Sequence, residues 1–343
     1  MPRLRISFIL AALFAAGTAA AADPPPFVPV YRTDFPDPFI LRHDDRYLAY
    51  ATNSEKGREN VPMASSTDLA NWEALKDPQD PKKPHDAMPV LPSWVKRGLT
   101  WAPEVLKTEA GYILYFTARD QKSDWQCIGT ATSADPLGPF TSSATEPLVC
   151  QGDLGGTIDA NPFRDADGQL YLYFKNDGNR VGKPTEIFAQ RLSPDGLSLV
   201  GERVSLLRND APWEAHVIEA PTMVRTTSGY TMLYSANDYG WQDHQRLSLY
   251  AMGYARCEGP MGPCTDAPDN PVLYSYSDPK LGCLSGPGHQ TVFGANNRTY
   301  IAFHGWQATP GCRRLDAKRF MYIAPVAWKN GKPLIAPSLR PAK

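Results

Sequence analysis

Five segments of the chain repeat one pattern of apolar and polar positions. In each, a first apolar strand is followed by a turn and then by a second strand in which aromatic residues alternate with other residues. The first strands open at Asp37, Trp101, Asp159, Glu219 and His289, and the matching aromatic positions are Tyr50, Tyr115, Tyr173, Tyr234 and Phe303. The offset between the two positions is 13, 14, 14, 15 and 14 residues, and successive aromatic positions lie 65, 58, 61 and 69 residues apart. Such regular spacing indicates five copies of one unit built from strand hairpins.

This repeat predicts an all-β fold, a five-bladed β-propeller with one sheet per blade around a central axis. The period exceeds the roughly 40–50 residues of a usual blade, so we expect long loops. Residues 53–99 contain the run "DPQDPKKPHD" and are expected to form a loop near the mouth of a central pocket. No Ser/Gly-rich linker interrupts the pattern, so a single domain is predicted over residues 27–340. The segment before Asp34 is expected to complete the last blade.

The first 22 residues have the pattern of a secretory signal. Arg3 and Arg5 precede an apolar run over residues 6–16, and small residues end at Ala22. We expect residues 1–22 to be removed and the mature protein to be secreted or periplasmic. The apolar run is too short for a permanent anchor, and no later stretch predicts a membrane span.

Composition narrows the possible partners and predicts covalent cross-links. The 33 prolines favour a loop-rich β protein, and a net charge of −1 provides no basic surface for nucleic acid or membrane. We therefore expect neither nucleic acid nor a membrane as a partner. Six cysteines in an exported chain are expected to form disulfides, and sequence proximity favours Cys257–Cys264, Cys283–Cys312 and Cys127–Cys150.

The residues that open the five repeats are candidates for a shared site. Corresponding positions of a propeller converge on its axis, so the acids Asp37, Asp159 and Glu219 would meet there with Trp101 and His289. A carboxylate in an apolar setting is unfavourable unless it is paired or kept protonated for use. The alternative is that these are turn-forming residues at strand starts, which is plausible for one of them but not for three acids and a histidine in register. Trp101 is either a core residue or a surface for sugar stacking.

Six pieces of the sequence together resemble glycoside hydrolase family 43. They are "DFPDPFI", "TWAPEV", "GTIDANPF", "VIEAPTM", "GPGHQTVF" and "MYIAPVAWKNGKP". The resemblance implies a five-bladed propeller that hydrolyses arabinofuranosyl and xylosyl bonds with inversion. It also implies that the partner is a polysaccharide or oligosaccharide substrate, and we expect a monomer. It implies that Asp37 is the general base, Glu219 the general acid and Asp159 the residue that tunes and orients the acid.

The resemblance also implies two further contacts. His289 matches an axial histidine that often holds a cation, so it is a candidate metal ligand or substrate contact, with a structural calcium as the possible ion. Arg319 matches an arginine that contacts the sugar. No cofactor is expected to be required for the chemistry.

Inverting hydrolysis explains why these acids are needed. One carboxylate activates water while a protonated acid assists the leaving oxygen, at a separation of roughly 6.5–9.5 Å. The acid must stay protonated, so we expect the pKa of Glu219 to be raised by Asp159 and by an apolar wall that includes Val217 and Ile218.

Three alternatives remain at this point. A retaining fructan or sucrose hydrolase would carry "NDPNG"-, "RDP"- and "EC"-type motifs, which the chain does not show. A non-catalytic sugar-binding propeller would not need three acids in one ring. Among family 43 activities, we expect an α-L-arabinofuranosidase rather than a β-xylosidase or endo-arabinanase, because no C-terminal β-sandwich segment follows the repeats.

Overall fold

The chain folds as the predicted five-bladed β-propeller. The structure is a computed structural model that describes residues 27–53, 58–242 and 244–335. The predicted signal peptide lies outside the described residues. Blade 1 contains β1 (Phe39–His43), β2 (Arg46–Tyr50), β3 (Met63–Ser66) and β4 (Glu73–Ala74); blade 2 contains β5 (Val95–Thr108), β6 (Gly111–Asp120) and β7 (Gln126–Ser133).

The other three blades are four-stranded and antiparallel. Blade 3 contains β8 (Thr157–Arg164), β9 (Leu170–Asn176), β10 (Glu186–Leu192) and β11 (Leu199–Arg208). Blade 4 contains β12 (Ile218–Thr226), β13 (Gly229–Ala236), β14 (Ala251–Cys257) and β15 (Cys264–Asp266). A ribbon of β16 (Tyr276–Asp278) and β17 (Gly282–Leu284) precedes blade 5, which contains β18 (Gly288–Ala295), β19 (Arg298–Ala308), β20 (Arg314–Lys329) and β21 (Lys332–Ile335).

The core lies between the blades, and the repeated aromatic residues anchor it. Five apolar clusters fill the five interfaces between neighbouring blades, and the five aromatic positions of the repeat are fully buried. Three of their hydroxyls reach the next blade: Tyr50 donates to Pro136 O at 2.6 Å, Tyr115 to Gly196 O at 2.5 Å and Tyr173 to Pro260 O at 2.8 Å. A buried hydroxyl needs a partner, so these bonds also fix how adjacent blades meet.

The two ends of the described chain meet in blade 5. Tyr31 pairs with Met321 of β20, and the backbone N–H of Phe35 donates to Arg319 O at 2.8 Å. The segment before β1 therefore completes the last blade and closes the propeller at a seam between blades 5 and 1.

Disulfides join the predicted partners: Cys127–Cys150, Cys257–Cys264 and Cys283–Cys312. No helix among the described residues is long and apolar enough to cross a membrane.

The prediction of a pocket-side loop over residues 53–99 is wrong for most of that range. β3 and β4 lie within it as the outer strands of blade 1, and none of the described residues 58–99 lines the central cavity. Tertiary packing outweighs local composition here, since Val61 and Met63 are buried in the interface with blade 2.

Candidate active site

A backbone kink occurs at the corresponding point of every blade, within the first strand of blades 2 to 5 and two residues before β1 in blade 1. One residue there has a positive φ of 46° to 60°, and we call it the kink position: Asp37, Ala102, Asp159, Ala220 and His289. In blades 2 to 5 the strand register shifts across the kink, as in a β-bulge. The bulge lets consecutive residues face the cavity, as Ile158 and Asp159 both do.

The kink corrects the alignment of the repeats. Trp101 and Glu219 precede the kinks of their blades, whereas Asp37, Asp159 and His289 occupy them. Measured from the kink, the offset to the aromatic position is 13 or 14 residues in every blade. Positive φ is unfavourable outside glycine and is best tolerated by Asp, Asn and His, which occupy three of the five kinks.

Each kink N–H is accepted by a side chain of the preceding blade. In each blade, the residue before the kink pairs with a residue further along the same blade, and we call this partner the capping position. The five capping positions are Thr52, Thr117, Lys175, Ser235 and His304. Four of these five side chains accept the next N–H around the axis, over 2.8 to 3.2 Å. Lys175 cannot accept, so Asp159 Oδ2 accepts the N–H of Ala220 instead, at 2.9 Å.

A central cavity of about 510 Å³ opens at these kinks. It brings together all the site residues predicted from the sequence: Asp37, Trp101, Asp159, Glu219, His289 and Arg319. The tryptophans Trp125, Trp213, Trp241 and Trp306 do not line it.

Asp37 is surrounded by cations and donors. Its Oδ1 lies 3.2 Å from an Arg319 guanidinium nitrogen, 3.4 Å from His289 Nδ1 and 3.1 Å from His304 Nδ1. Thr52 Oγ1 donates to its Oδ2. Burial alone would raise the pKa of Asp37, but the charges of His289 and Arg319 outweigh it and hold this pKa well below its usual range. Asp37 is therefore ionised. We call Asp37, Arg319, His289 and His304 the base side.

Glu219 is held by two donors from neighbouring strands. Lys175 Nζ lies 3.2 Å from Oε2, and the Tyr250 hydroxyl donates to Oε1 at 2.6 Å. The Lys175 side chain is fully buried and also donates to Asn179 Oδ1 at 2.8 Å. We call Asp159, Glu219, Lys175 and Tyr250 the acid side.

The pKa values of the two acids on this side differ from the prediction. Burial favours a raised pKa for Glu219, but the Lys175 ammonium and the Tyr250 hydroxyl outweigh it and lower the pKa. Burial raises the pKa of Asp159 to about 6, with the charge of Glu219 adding to the rise and His289 opposing it. The expected raised pKa of Glu219 is thus wrong, because a buried lysine that the pattern did not predict lies against it.

The predicted metal contact at His289 is not supported by a set of neighbouring ligands. Calcium takes six to eight oxygen ligands, whereas Asp37, the nearest carboxylate to His289, is engaged by Arg319. Within the described ranges, the group of three acids close enough to share an ion is Asp210, Glu214 and Asp266, which does not line the cavity. Among the residues that the structure describes, those around His289 do not form a protein cage for an ion, and the metal contact stays a prediction.

Several residues of the site were missed from the sequence. Lys175 stands in the run "LYLYFKN", where a charge within a buried strand is a usable signal, and His304 follows the aromatic position of its repeat. Asp34, which precedes the first repeat, accepts the backbone N–H of Arg319 at 2.9 Å. Tyr250 lies after a long loop, where no periodicity indicates it.

Comparison with known proteins adds independent findings. Residues 28–333 match the family model "Glycosyl hydrolases family 43". A beta-D-galactofuranosidase of Aspergillus niger is 27% identical over 292 residues, which are 80% of this chain and 75% of that protein. A xylosidase/arabinosidase of Butyrivibrio fibrisolvens is 25% identical over 319 residues, which are 91% of this chain and 56% of that protein. The chain therefore spans three quarters of the first relative and about half of the second.

A solved structure shows the same fold. The crystal structure of a thermostable family-43 glycoside hydrolase superposes with a TM-score of 0.73 at 28% identity. The match covers 91% of this chain and 96% of that one.

Proposed function

The chain belongs to glycosyl hydrolase family 43 and is a glycoside hydrolase, and from this premise we propose that it is an inverting α-L-arabinofuranosidase. The observation that carries the proposal is the pairing of two unlike carboxylate environments across one cavity. Asp37 is held ionised by cations, whereas Asp159 and Glu219 share a buried site that retains a proton. An ionised base and a protonated acid on different sides of one cavity are what inversion requires.

Asp37 activates the attacking water in this proposal. As an ionised carboxylate it accepts a proton from water while the water oxygen attacks the anomeric carbon. Arg319 and Thr52 hold its two oxygens, so its orientation is set before substrate arrives. Asp34 in turn fixes the backbone of Arg319.

Glu219 donates the proton to the leaving oxygen. The assignment follows its place in the family motif "VIEAPTM". Because Lys175 favours the ionised form of Glu219, the one proton of the pair rests on Asp159 and must be on Glu219 when the glycosidic bond breaks. The two carboxyls therefore titrate as a unit rather than as separate groups.

The choice of an arabinofuranosyl substrate rests on the relatives. The first is named for a furanosyl sugar and the second for xylose and arabinose, so arabinofuranose combines the furanose form with a named pentose. Trp101 supplies an aromatic face in the cavity on which a sugar can stack. A β-xylosidase or an endo-arabinanase is the alternative outcome of the same test.

The test compares aryl α-L-arabinofuranoside with aryl β-D-xyloside, followed by arabinan and arabinoxylan. We expect the arabinofuranoside to be cleaved faster, with single arabinose units released from the polymers. Proton NMR of the first product should show inverted configuration at the anomeric carbon. Faster cleavage of the xyloside, or release of oligosaccharides from arabinan, would replace the proposed substrate. A product of retained configuration would contradict the mechanism.

A further inference from the structure

A second cavity of about 580 Å³ lies beside the catalytic one and is lined by arginines. We call it the arginine pocket, and its charged lining residues are Arg246, Arg313, Arg314 and Asp316. Trp241 closes one wall, where it is almost fully buried. The pocket contains none of the positions that recur in the five-fold repeat, because it lies in the loop between β13 and β14 and at the β19–β20 turn.

Two elements are shared between the catalytic cavity and the arginine pocket. The loop after β13 contributes Asp238 and Tyr239 to the first and Trp241 and Arg246 to the second. Strand β20 contributes Arg319 to the first and residues 314–317 to the second. Ala317 and Arg319 lie two residues apart on this extended strand, a distance of about 7 Å, so neighbouring units of one oligosaccharide can occupy the two cavities.

The described lining of the pocket carries more positive than negative charge, with three arginines and one aspartate. The guanidinium groups of Arg246 and Arg313 make no hydrogen bond or ion pair with any residue in the described ranges, and both side chains are exposed. The carboxylate of Asp316 is engaged by Lys318 at 2.9 Å. Two exposed guanidinium groups at a concave surface attract an anion.

The pocket has a fixed frame. The Cys283–Cys312 disulfide ties the turn before Arg313 to the β16–β17 ribbon. Within that turn Thr309 Oγ1 accepts the backbone N–H of Arg313 at 3.0 Å, and the N–H of Cys312 donates to Thr309 O at 2.9 Å. On the facing loop, the Trp241 indole N–H donates to Gln245 O at 3.1 Å. A fixed backbone under charged side chains reduces the entropy lost when a ligand binds.

From these observations we infer that the arginine pocket binds the carboxylate of a uronic acid unit in the polysaccharide whose neighbouring pentose occupies the catalytic cavity. This inference rests on the proposed function. Guanidinium matches a carboxylate with two parallel hydrogen bonds, and a cavity of this volume accommodates a hexose-sized unit. The enzyme then prefers acidic arabino-oligosaccharides over neutral ones.

The experiment uses one oligosaccharide in two forms. An arabinose-bearing oligosaccharide with a uronic acid is compared with the same molecule after its carboxyl is reduced to a primary alcohol, so charge is the main difference. We expect kcat/KM to be about tenfold higher for the acidic form at low salt, the scale of one charge-assisted hydrogen bond. The preference should fall towards one in 1 M NaCl, where charges are screened beyond about 3 Å.

Variants assign the preference to the pocket. The double substitution R246Q/R313Q should abolish the preference and leave turnover of an aryl arabinofuranoside unchanged. Arg298→Gln, at an exposed arginine at the opposite end of β19, is the matched control and should retain it. Equal kcat/KM for the two forms in the wild type, or an undiminished preference in R246Q/R313Q, would overturn the inference.

Direct binding separates this inference from the proposed function. If the wild type cleaves no pentoside, the proposed function fails, and calorimetric titration with the acidic and reduced oligosaccharides still tests the pocket. Tighter binding of the acidic form that is lost in R246Q/R313Q supports it. Equal affinity contradicts it.

Discussion

The base side and the acid side of the cavity are built on the same blade plan but stabilise opposite protonation states. On the base side, the capping position is His304, whose buried imidazole has its pKa lowered to about 4, so that it stays neutral and accepts the N–H of Asp37 at 3.2 Å. On the acid side, the same position holds Lys175, which accepts nothing and instead pairs with Glu219. The capping position therefore has a different role on each side of the cavity. His304 accepts the backbone N–H of Asp37, whereas Lys175 pairs with the carboxylate of Glu219.

The difference shows how a symmetric fold becomes an asymmetric site. Thr52, Thr117 and Ser235 perform the backbone task that the repeat imposes, and each satisfies a buried N–H. Lys175 cannot accept a hydrogen bond, so Asp159 Oδ2 accepts the N–H of Ala220 instead. The acid side is the point at which the five-fold pattern of hydrogen bonds is broken.

The largest effect is expected from removing the base. Asp37→Ala should lower kcat by about 10⁴-fold for activated aryl pentosides and natural oligosaccharides alike, because water must be activated whichever group leaves. Steady-state kinetics on both substrate classes measure this, with Asp37→Asn as the variant of equal size. Sparing of the activated substrate would show that Asp37 is not the base.

Removing the acid should give a smaller and selective loss. Glu219→Ala should slow natural oligosaccharides by about 10²–10⁴-fold and activated aryl pentosides far less, since a good leaving group departs without a proton. Asp159→Ala is the comparison on the same side of the cavity. If Asp159→Ala shows the stronger dependence on leaving group, Asp159 rather than Glu219 is the donor.

The buried lysine should act on the pH profile. In the wild type the acid pair loses its proton at about pH 6, so kcat/KM falls above that pH. The Lys175 ammonium lowers the pKa of both acids, and therefore Lys175→Met should move the alkaline limb to higher pH, by about one unit.

Thr117→Val is the control for Lys175→Met at the same capping position of blade 2. It should leave the alkaline limb in place, because it removes no charge. A limb that stays fixed or moves to lower pH in Lys175→Met would contradict the role given to the lysine.

The smallest effect concerns the ordinary capping positions. Thr117→Val leaves the buried N–H of Asp159 without its acceptor, which should lower the free energy of unfolding by about 1–3 kcal/mol. Denaturant titration followed by circular dichroism measures the loss. Unchanged stability would mean that the kink does not depend on its cap.

The repeat pattern was sufficient to predict the fold and the residues that meet at the axis. Spacing alone brought Asp37, Asp159 and Glu219 to one place, because corresponding strands of a propeller share an axis. It could not resolve the one-residue difference between Glu219 and the kink at Ala220. The offset of 15 residues for Glu219 shows that difference, but the offset of 14 for Trp101 equals those of Asp159 and His289, so only the backbone identifies the kink.

Protonation could not be predicted, because it depends on contacts between blades. Lys175 and Glu219 are 44 residues apart, and Tyr250 approaches Glu219 from a strand whose start no periodicity marks. The sequence showed three acids in register and suggested mutual repulsion. The structure adds the cation that decides which of them keeps the proton.

The seam between blades 5 and 1 has a consequence for how the protein loses activity when it is heated. Asp37 belongs to one edge of this seam and Arg319 to the other, and backbone pairing through Phe35 rather than a covalent bond joins them. A local opening there would separate the two side chains while blades 2 to 4 keep their sheets. Catalytic activity therefore depends on whether the propeller is closed at this seam. On heating, activity should be lost before the β-sheet signal in circular dichroism.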